Sequence, residues 1–240
     1  MAEVKALLLA GGLGTRLRPL TDTLPKCLIP VAGKPILDYW LDALDAADIR
    51  QALLNTHHKR DQVKIWLETA NSSRNVAIAE AYEPELLGSA GTVTANRDWA
   101  DDASEVVVIY ADNLSDIDLG ALVAFHRTHS DPMTMMLFHT PYPSKCGIAT
   151  LDDDARVTAF VEKPDQPESD LANAGLYVLD ASAWREIADM GAFDFGFDVI
   201  PAFVGRMRGY AHPGYHRDIG THESLAQAEA DAPVVFGPAP

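Results

Sequence analysis

Cysteine is nearly absent. Only Cys27 and Cys146 occur among 240 residues, too few for the disulfide framework that holds a small secreted domain together. No stretch approaches the roughly 18 to 20 consecutive apolar residues of a membrane-spanning helix. The opening MAEVKALLLAGG has a short apolar run ending in glycines, without the basic region or small-residue cleavage site of a secretory signal. These absences predict a reduced, cytoplasmic protein with no membrane partner. Positive charge is scarce as well: 19 Lys and Arg face 35 Asp and Glu, for a net charge of −16. A nucleic-acid partner needs a basic face, so none is expected. The histidines, His57-His58 included, show no metal-ligand spacing. No Ser/His/Asp triad and no internal repeat is visible.

What is present is ordinary globular material, 48% apolar and 22% charged, which excludes disorder for the bulk of the chain. The length suits one large α/β domain or two small ones. Net acidity is compatible with a small phosphorylated ligand if positive charge gathers where that ligand sits. Arg16, Arg18, Lys26 and Lys34 fall within nineteen residues and are the candidates.

Hydrophobic periodicity predicts strands over residues 4–10, 51–56, 76–79 and 105–110, with helices over 35–49, 61–70 and 118–129. Asp116 and Asp118 are candidate caps for the last helix. Strands alternating with helices mean βαβ units and a parallel sheet. Short strands follow over 133–139, 147–151, 157–162 and 175–179, with Asp152-Asp153-Asp154 as a hairpin turn, so the parallel core should gain a mixed extension. The run from residue 232, APVVFGPAP, should fray. Open α/β sheets bind ligands beyond the carboxyl ends of their strands, and two such ends carry suggestive residues: Gly11 and Asp112.

Gly11-Gly12-Leu13-Gly14-Thr15-Arg16 directly follows the first predicted strand. Glycines let backbone approach a phosphate closely, and successive N–H groups can point at it. The triphosphatase P-loop pattern is absent. The dinucleotide fingerprint fails because its third glycine is Leu17, and no partner acid stands near Leu54. Two readings stay open: a phosphate loop that adds its own cations, Arg16 and Lys26, or a tight strand-to-helix turn with surface basic residues.

The longer string from Leu7 to Leu37, LLLAGGLGTRLRPLTDTLPKCLIPVAGKPIL, resembles the signature of the sugar-1-phosphate nucleotidylyltransferases, the nucleotide-sugar pyrophosphorylases. Gly14-Thr15-Arg16, Pro25-Lys26, Pro30-Val31 and Lys34-Pro35 carry the likeness. It continues through Leu87-Gly88-Ser89-Ala90-Gly91-Thr92, similar to the base-contacting loop, and Asp112-Asn113, similar to a Gly-Asp-Asn metal site with Ala111 in place of Gly. Val161-Glu162-Lys163-Pro164, Asn173-Ala174-Gly175-Leu176-Tyr177 and Asp218-Ile219-Gly220-Thr221 complete six blocks in the family's order.

The resemblance implies a Rossmann-like α/β fold, glycosyltransferase-A-like, with a mixed, mostly parallel sheet flanked by helices. A single domain over residues 1–231 would have a nucleotide half to about 130 and a sugar-phosphate half beyond it, with 232–240 a flexible tail. No hexapeptide repeat is present, so a C-terminal β-helix and its acyl-transfer chemistry are not expected. The implied reaction joins a nucleoside triphosphate and a sugar-1-phosphate, with magnesium as cofactor, and releases pyrophosphate; a homo-oligomer would be compatible with it. Such transfer is mostly positioning plus charge stabilisation.

By the same resemblance, Arg16 would hold the departing pyrophosphate and Lys26 would stabilise charge at the α-phosphate. Leu9, Ala10, Gly11, Gly12, Gly14, Thr15, Glu83, Gly88 and Asp112 would contact the nucleotide. Lys163 would bind the sugar phosphate, and Gly147, Glu162, Asn173 and Gly175 would hydrogen-bond the sugar. Asp112 and Asp218 would hold the metal. Lys5 and Arg18 read as solubility charges. Phe195-Gly196-Phe197, between Asp194 and Asp198, is a segment that the family uses to close the sugar side; neither aspartate is assigned a role. A carboxylate at Glu83 or Glu85 would suit guanine, which offers N1–H and an amine together. The wording of the motifs is most similar to guanylyltransferases of mannose- or heptose-1-phosphate. Thymidylyl and uridylyl transfer, and a non-catalytic nucleotide-sugar sensor, remain alternatives. Cys27 and Cys146 depart from the family pattern and would line the cleft; alkylation of Cys27 would then block the nucleotide, unless both are inert thiols.

Overall fold

The computed structural model describes residues 3–237. Within it the chain divides into two compact units, and neither is continuous in sequence. One gathers residues up to 5, 87–108 and 120–213; the other gathers 6–86, 109–119 and 214 onward. The sequence-based division near residue 130 instead treated each half as one stretch.

The elements in chain order begin with β1 (Glu3–Leu9), α1 (Leu20–Thr23), the short β2 (Pro30–Val31) and β3 (Lys34–Pro35), α2 (Ile36–Ala46), β4 (Gln51–Thr56), α3 (Arg60–Ser73) and β5 (Ala77–Tyr82). Then come α4 (Gly88–Ala95), β6 (Ala103–Tyr110), β7 (Asn113–Ser115), α5 (Leu119–His126), β8 (Met133–His139), β9 (Gly147–Leu151), β10 (Val157–Glu162), β11 (Leu171–Asp180) and α6 (Ala181–Met190). A π turn at Phe195–Val199, α7 (Ile200–Phe203), β12 (Met207–Ala211), β13 (His216–Asp218) and α8 (His222–Val235) close the series.

In the unit that holds residues 6–86, β1, β4 and β5 lie side by side, and β4 and β5 are parallel in register from Gln51↔Ala77 to Thr56↔Tyr82. Leu7, Leu8, Leu53 and Leu54 are buried there, as expected of strands covered on both faces. α2 turns Ile36, Leu37, Trp40, Leu41 and Leu44 inward. Those residues recur at three- and four-residue spacing, so one stripe faces the core. Trp40 donates its indole N–H to the Asn113 carbonyl at 2.9 Å.

The other unit is the mixed extension. β11 lies between β9 and β6, and β8 pairs with both β11 and β12. β8 and β11 are antiparallel, whereas β8 and β12 are parallel. β9 and β10 form the expected antiparallel hairpin. Asp180 caps α6, accepting from Ala183 N at 2.7 Å, and Gly191 ends it at φ +66°, a left-handed conformation that glycine adopts without strain.

The architecture is the expected α/β one, with several elements differing in their bounds. β5 begins at Ala77 and runs to Tyr82. β11 spans ten residues rather than five, because Gly175 (φ +68°) lies inside a bulge between Asn173 and Tyr177 instead of opening the strand. α5 ends at His126, and Asp116 accepts from the Tyr215 backbone at 2.7 Å. The supposedly fraying end is helical through Val235, opened by a Thr221/Ser224 capping box. The Phe236 ring is fixed edge-on against Tyr39, centroids 4.9 Å apart. Residues 238–240 of the expected flexible tail lie outside the described residues. The described residues form no β-helix.

Candidate active site

The glycine loop is shaped by hydrogen bonds and by one anchor. Asn55, at the carboxyl end of β4, accepts from the backbone N–H of Ala10 and Gly11. Gly11 is tightly placed, since a Cβ would stand 3.0 Å from Asn55 Nδ2 and the asparagine would have to shift. Gly14 turns the chain at φ +61°, where a Cβ would meet Thr21 Cγ2 at 2.7 Å, and Thr21 Oγ1 donates to the Gly14 carbonyl at 2.8 Å. Leu17 is fully buried. The position that breaks the dinucleotide fingerprint is therefore a core anchor for this loop. Leu9 ends β1 buried, while Gly12, Thr15 and Arg16 are exposed.

The four candidate cations separate. Lys26 is 6% exposed, and its ammonium lies 2.6 Å from Asp112 Oδ2 and 3.2 Å from Asp218 Oδ1. Arg16 extends beside them, 3.9 Å from Asp218 Oδ2. A Cβ at Gly220 would come within 2.7 Å of both the Arg16 guanidinium and Asp218, so that glycine keeps the space open. Arg18 pairs with Asp22 at 3.2 Å. Lys34 pairs with Asp42 and lies 4.3 Å over the Tyr39 ring. Those two do not join the cluster.

Burial alone would push the Lys26 ammonium down, but the Asp112 and Asp218 carboxylates outweigh it, and Lys26 is held above the ordinary lysine value. The two aspartates meet because β7 and β13 pair antiparallel, with Asp218 opposite Asn113. Their carboxylate oxygens suit a hard divalent cation that keeps phosphate and water among its ligands. No third His, Cys, Asp or Glu completes a protein cage among the described residues. The donor set thus fits magnesium bound together with a phosphorylated substrate.

Glu83 is buried, and its carboxylate accepts from Asn55 Nδ2 at 3.1 Å. Asn55 in turn holds the loop amides. Sequence reasoning missed Asn55. Its one signal was an amide side chain ending the otherwise apolar Ala52-Leu53-Leu54 run. Glu85 is exposed.

The remaining candidates all belong to the other compact unit. Gly88 opens α4 at φ +78°, and a Cβ there would stand 2.2 Å from the Phe193 carbonyl oxygen. Gly147 lies opposite Glu162 across the β9–β10 hairpin. A Cβ on it would meet Phe160 Cζ at 2.4 Å and Glu162 Oε2 at 2.5 Å, so the glycine lets the Glu162 carboxylate lie flat over the strand. Lys163 is exposed, adopts φ +49°, and lies 3.5 Å from Glu162. Asn173 bridges the β11 bulge: its Oδ1 accepts from Gly175 N at 2.9 Å and its Nδ2 donates to the Tyr177 hydroxyl at 2.8 Å.

One expectation is corrected. Lys5 is buried, not a solubility charge; it pairs with Asp102 and donates to the Trp99 carbonyl at 3.2 Å. From Lys5 onward β1 is buried on both faces, so neither face leaves the ammonium in water and it needs a partner. Of the two readings of Cys27, the inert thiol is the one the structure supports: it is 1% exposed, and burial, more than nearby Asp112, pushes its thiol up to about 12, so it presents no thiolate. Cys146 is half-buried.

No described helix is long and apolar enough to cross a membrane. Residues 5–233 match the nucleotidyl transferase family. The mannose-1-phosphate guanylyltransferase of Mycobacterium tuberculosis is 33% identical over 99% of this chain and 67% of its own length. The mannose-1-phosphate guanylyltransferase catalytic subunit beta of Drosophila pseudoobscura pseudoobscura is 34% identical over 90% of this chain and 59% of its own. The chain thus spans 59–67% of the length of these curated relatives. A Bacillus anthracis protein assigned as a glucose-1-phosphate thymidylyltransferase, solved with sucrose, is similar at TM-score 0.86 and 25% identity, over 95% of both chains. HddC from Yersinia pseudotuberculosis, complexed with GMP-PN, gives TM-score 0.79 and 25% identity over 96% of this chain and 99% of its own.

Proposed function

This chain belongs to the nucleotidyl transferase family, and from that premise we propose that it transfers a nucleoside monophosphate from a nucleoside triphosphate to a sugar-1-phosphate, releasing pyrophosphate. The observation that carries the reading is the cluster of Lys26 with Asp112 and Asp218, with Arg16 beside it. A sugar-phosphate oxygen attacks the α-phosphorus, the bond to the β-phosphate oxygen breaks, and pyrophosphate leaves. No covalent enzyme intermediate is needed.

Lys26 is a buried donor, held in its charged form by Asp112 and Asp218, for the negative charge that gathers on the α-phosphate oxygens; a preorganised cation acts more strongly there than one in water. Arg16, exposed and forked, grips the departing pyrophosphate. The loop from Ala10 to Thr15, with two of its amides fixed by Asn55, shapes the nucleotide seat. Gly88 contributes to the nucleotide side. Lys163 takes the sugar phosphate, while Glu162, Asn173 and the backbone of Gly147 and Gly175 orient the sugar. Asp112 and Asp218 would hold magnesium, whose chemistry there would be to neutralise phosphate charge.

Guanosine triphosphate and mannose-1-phosphate are the proposed pair. The names of the curated relatives support it, as does the GMP-PN complex of HddC. Heptose-1-phosphate is the neighbouring possibility for the sugar. Thymidylyl transfer is the second reading, favoured by the likeness to the Bacillus anthracis structure.

The test is pyrophosphate release with magnesium across GTP, dTTP, UTP, CTP and ATP, against a panel of sugar-1-phosphates. Release with GTP and mannose-1-phosphate, lost in Asp112→Asn and Asp218→Asn, bears the proposal out. Release with dTTP alone replaces the base. Silence across the panel, with thermal stabilisation by a nucleotide sugar, would make the protein a sensor rather than an enzyme.

A further inference from the structure

Three hydrogen bonds tie the start of α4 to the turn that follows α6, and all lie within one compact unit. Ala90 N–H donates to the Phe193 carbonyl at 3.0 Å. Ser89 Oγ donates to Asp194 Oδ2 at 3.1 Å and accepts from Phe195 N–H at 2.9 Å. The far side of the turn is closed by the same aspartate, whose Oδ1 accepts from Gly196 N at 2.8 Å and Phe197 N at 3.1 Å. Asp198 Oδ2 completes it, accepting from Phe193 N and Asp194 N, each at 2.9 Å. Gly88 allows the approach, because any side chain there would strike the Phe193 carbonyl and ring.

This arrangement is more than a cap. The first amides of a helix ordinarily go to a capping side chain, to water or to a ligand. Here Ala90 N–H goes to a separate segment more than a hundred residues away. The turn so fixed carries two exposed rings, Phe193 at 61% and Phe197 at 65%. Below them it is held by Phe195, fully buried and stacked on Tyr177 with centroids 4.9 Å apart.

We infer that Ser89 and Asp194 are a positioning pair that makes the start of α4, from Leu87 to Thr92, and the turn from Phe193 to Asp198 one rigid piece, so that nucleotide and sugar-phosphate binding are coupled through it. The inference rests on the proposed function, which gives Gly88 to the nucleotide and Glu162 to the sugar; the turn reaches Glu162 through Gly196, where a Cβ would stand 3.2 Å from Glu162 Oε2. Neither side chain touches reacting atoms in this account. They act through the backbone that they hold.

Two measurements test it. In steady-state kinetics, Ser89→Ala and Asp194→Asn should each raise KM for both substrates five- to twentyfold with kcat within about threefold, and Ser89→Thr, which keeps the hydroxyl, should restore both. The double variant should be no worse than the poorer single one, because both changes cut the same link. As a control, Asp180→Ala removes the α6 cap in the same unit and should lower the melting midpoint without moving either KM. In amide hydrogen exchange, Ser89→Ala should raise exchange in 87–92 and 193–198 together. Unchanged KM values, or a rise for the nucleotide alone, overturn the coupling even with the enzyme active. If the wild type proves inactive on every pair, the functional reading fails, and exchange still decides the rigid link: loss of protection confined to 87–92 overturns it.

Discussion

The Lys26 ammonium lies 2.6 Å from Asp112 Oδ2 and is almost wholly shielded from water. One residue brought from the loop after α1 and one from the end of β6 thus form a single charged unit. Lys26→Met should lower kcat about 10²- to 10³-fold, the usual loss when one preorganised donor to a developing oxyanion is removed. Lys26→Arg should not rescue it, since a forked guanidinium does not fit a seat made for a compact ammonium.

The pH dependence follows from the same pair. The folded-state value of Lys26 lies above its ordinary one. Its charge, and the stability its pairing contributes, are therefore complete below the unfolded value of 10.5 and lost only as pH rises through the raised value. A profile of kcat against pH should show no alkaline fall assignable to Lys26 below about pH 10. A fall near pH 8 that vanishes in Lys26→Met would contradict this.

His126 gives a stability prediction of opposite sense. Burial, and then the neighbouring His129, lower its value from 6.5 to about 4. The unfolded chain takes up the proton first as pH falls, so stability is complete above about pH 6.5 and declines toward pH 4. The shift corresponds to about 3 kcal/mol at the acid end. Urea unfolding at pH 7 and pH 4.5 should show that decline, and His126→Gln should flatten it.

The thiols should differ sharply. With its value near 12 and 1% exposure, Cys27 should resist an alkylating reagent at pH 7.5, whereas Cys146 reacts. Titration should count one accessible thiol in the native protein and two in denaturant. Rapid modification of both in the native state would show that Cys27 is not shielded as described.

Asn55 should matter as much as the glycines it holds. Asn55→Leu removes the acceptor for the Ala10 and Gly11 amides and the Nδ2 donor to buried Glu83. The expected loss is about 2 to 4 kcal/mol of stability, for buried polar groups deprived of a partner, with a higher KM for the nucleoside triphosphate. The urea midpoint and nucleotide titration check the two parts separately.

Much of this site was legible in residue order. The glycines at 11 and 14 announce a tight turn after a strand; Gly14 does exclude a Cβ, and Gly11 leaves little space for one. Lys26, Asp112 and Asp218 were singled out by their motifs and do come together. Lys34 and Arg18 were equally conspicuous in the sequence yet turn away to Asp42 and Asp22, because a local cluster of charge does not say which way each side chain points. Asn55 went unread because an asparagine at a strand end is more often a turn residue. In the sequence Gly175 reads as the start of a strand because a bulge leaves the alternation of side chains readable on one side only.

What the sequence alone determined is whatever depends on neighbours in the chain. The periodicities set the strands and helices, glycines marked where backbone must turn left-handed, and the ordered motifs identified the family. Tertiary structure decided which charges meet. Asp112 and Asp218 share Lys26 because β7 and β13 pair in one register, and a slip of one residue would turn Asp218 to the opposite face. Tertiary structure also decided which groups lose water, sealing Cys27 and Lys5 while leaving Arg16 and Lys163 open. Burial and electrostatic pairing act between residues far apart in the chain, so their outcome is set by packing and register rather than by local order.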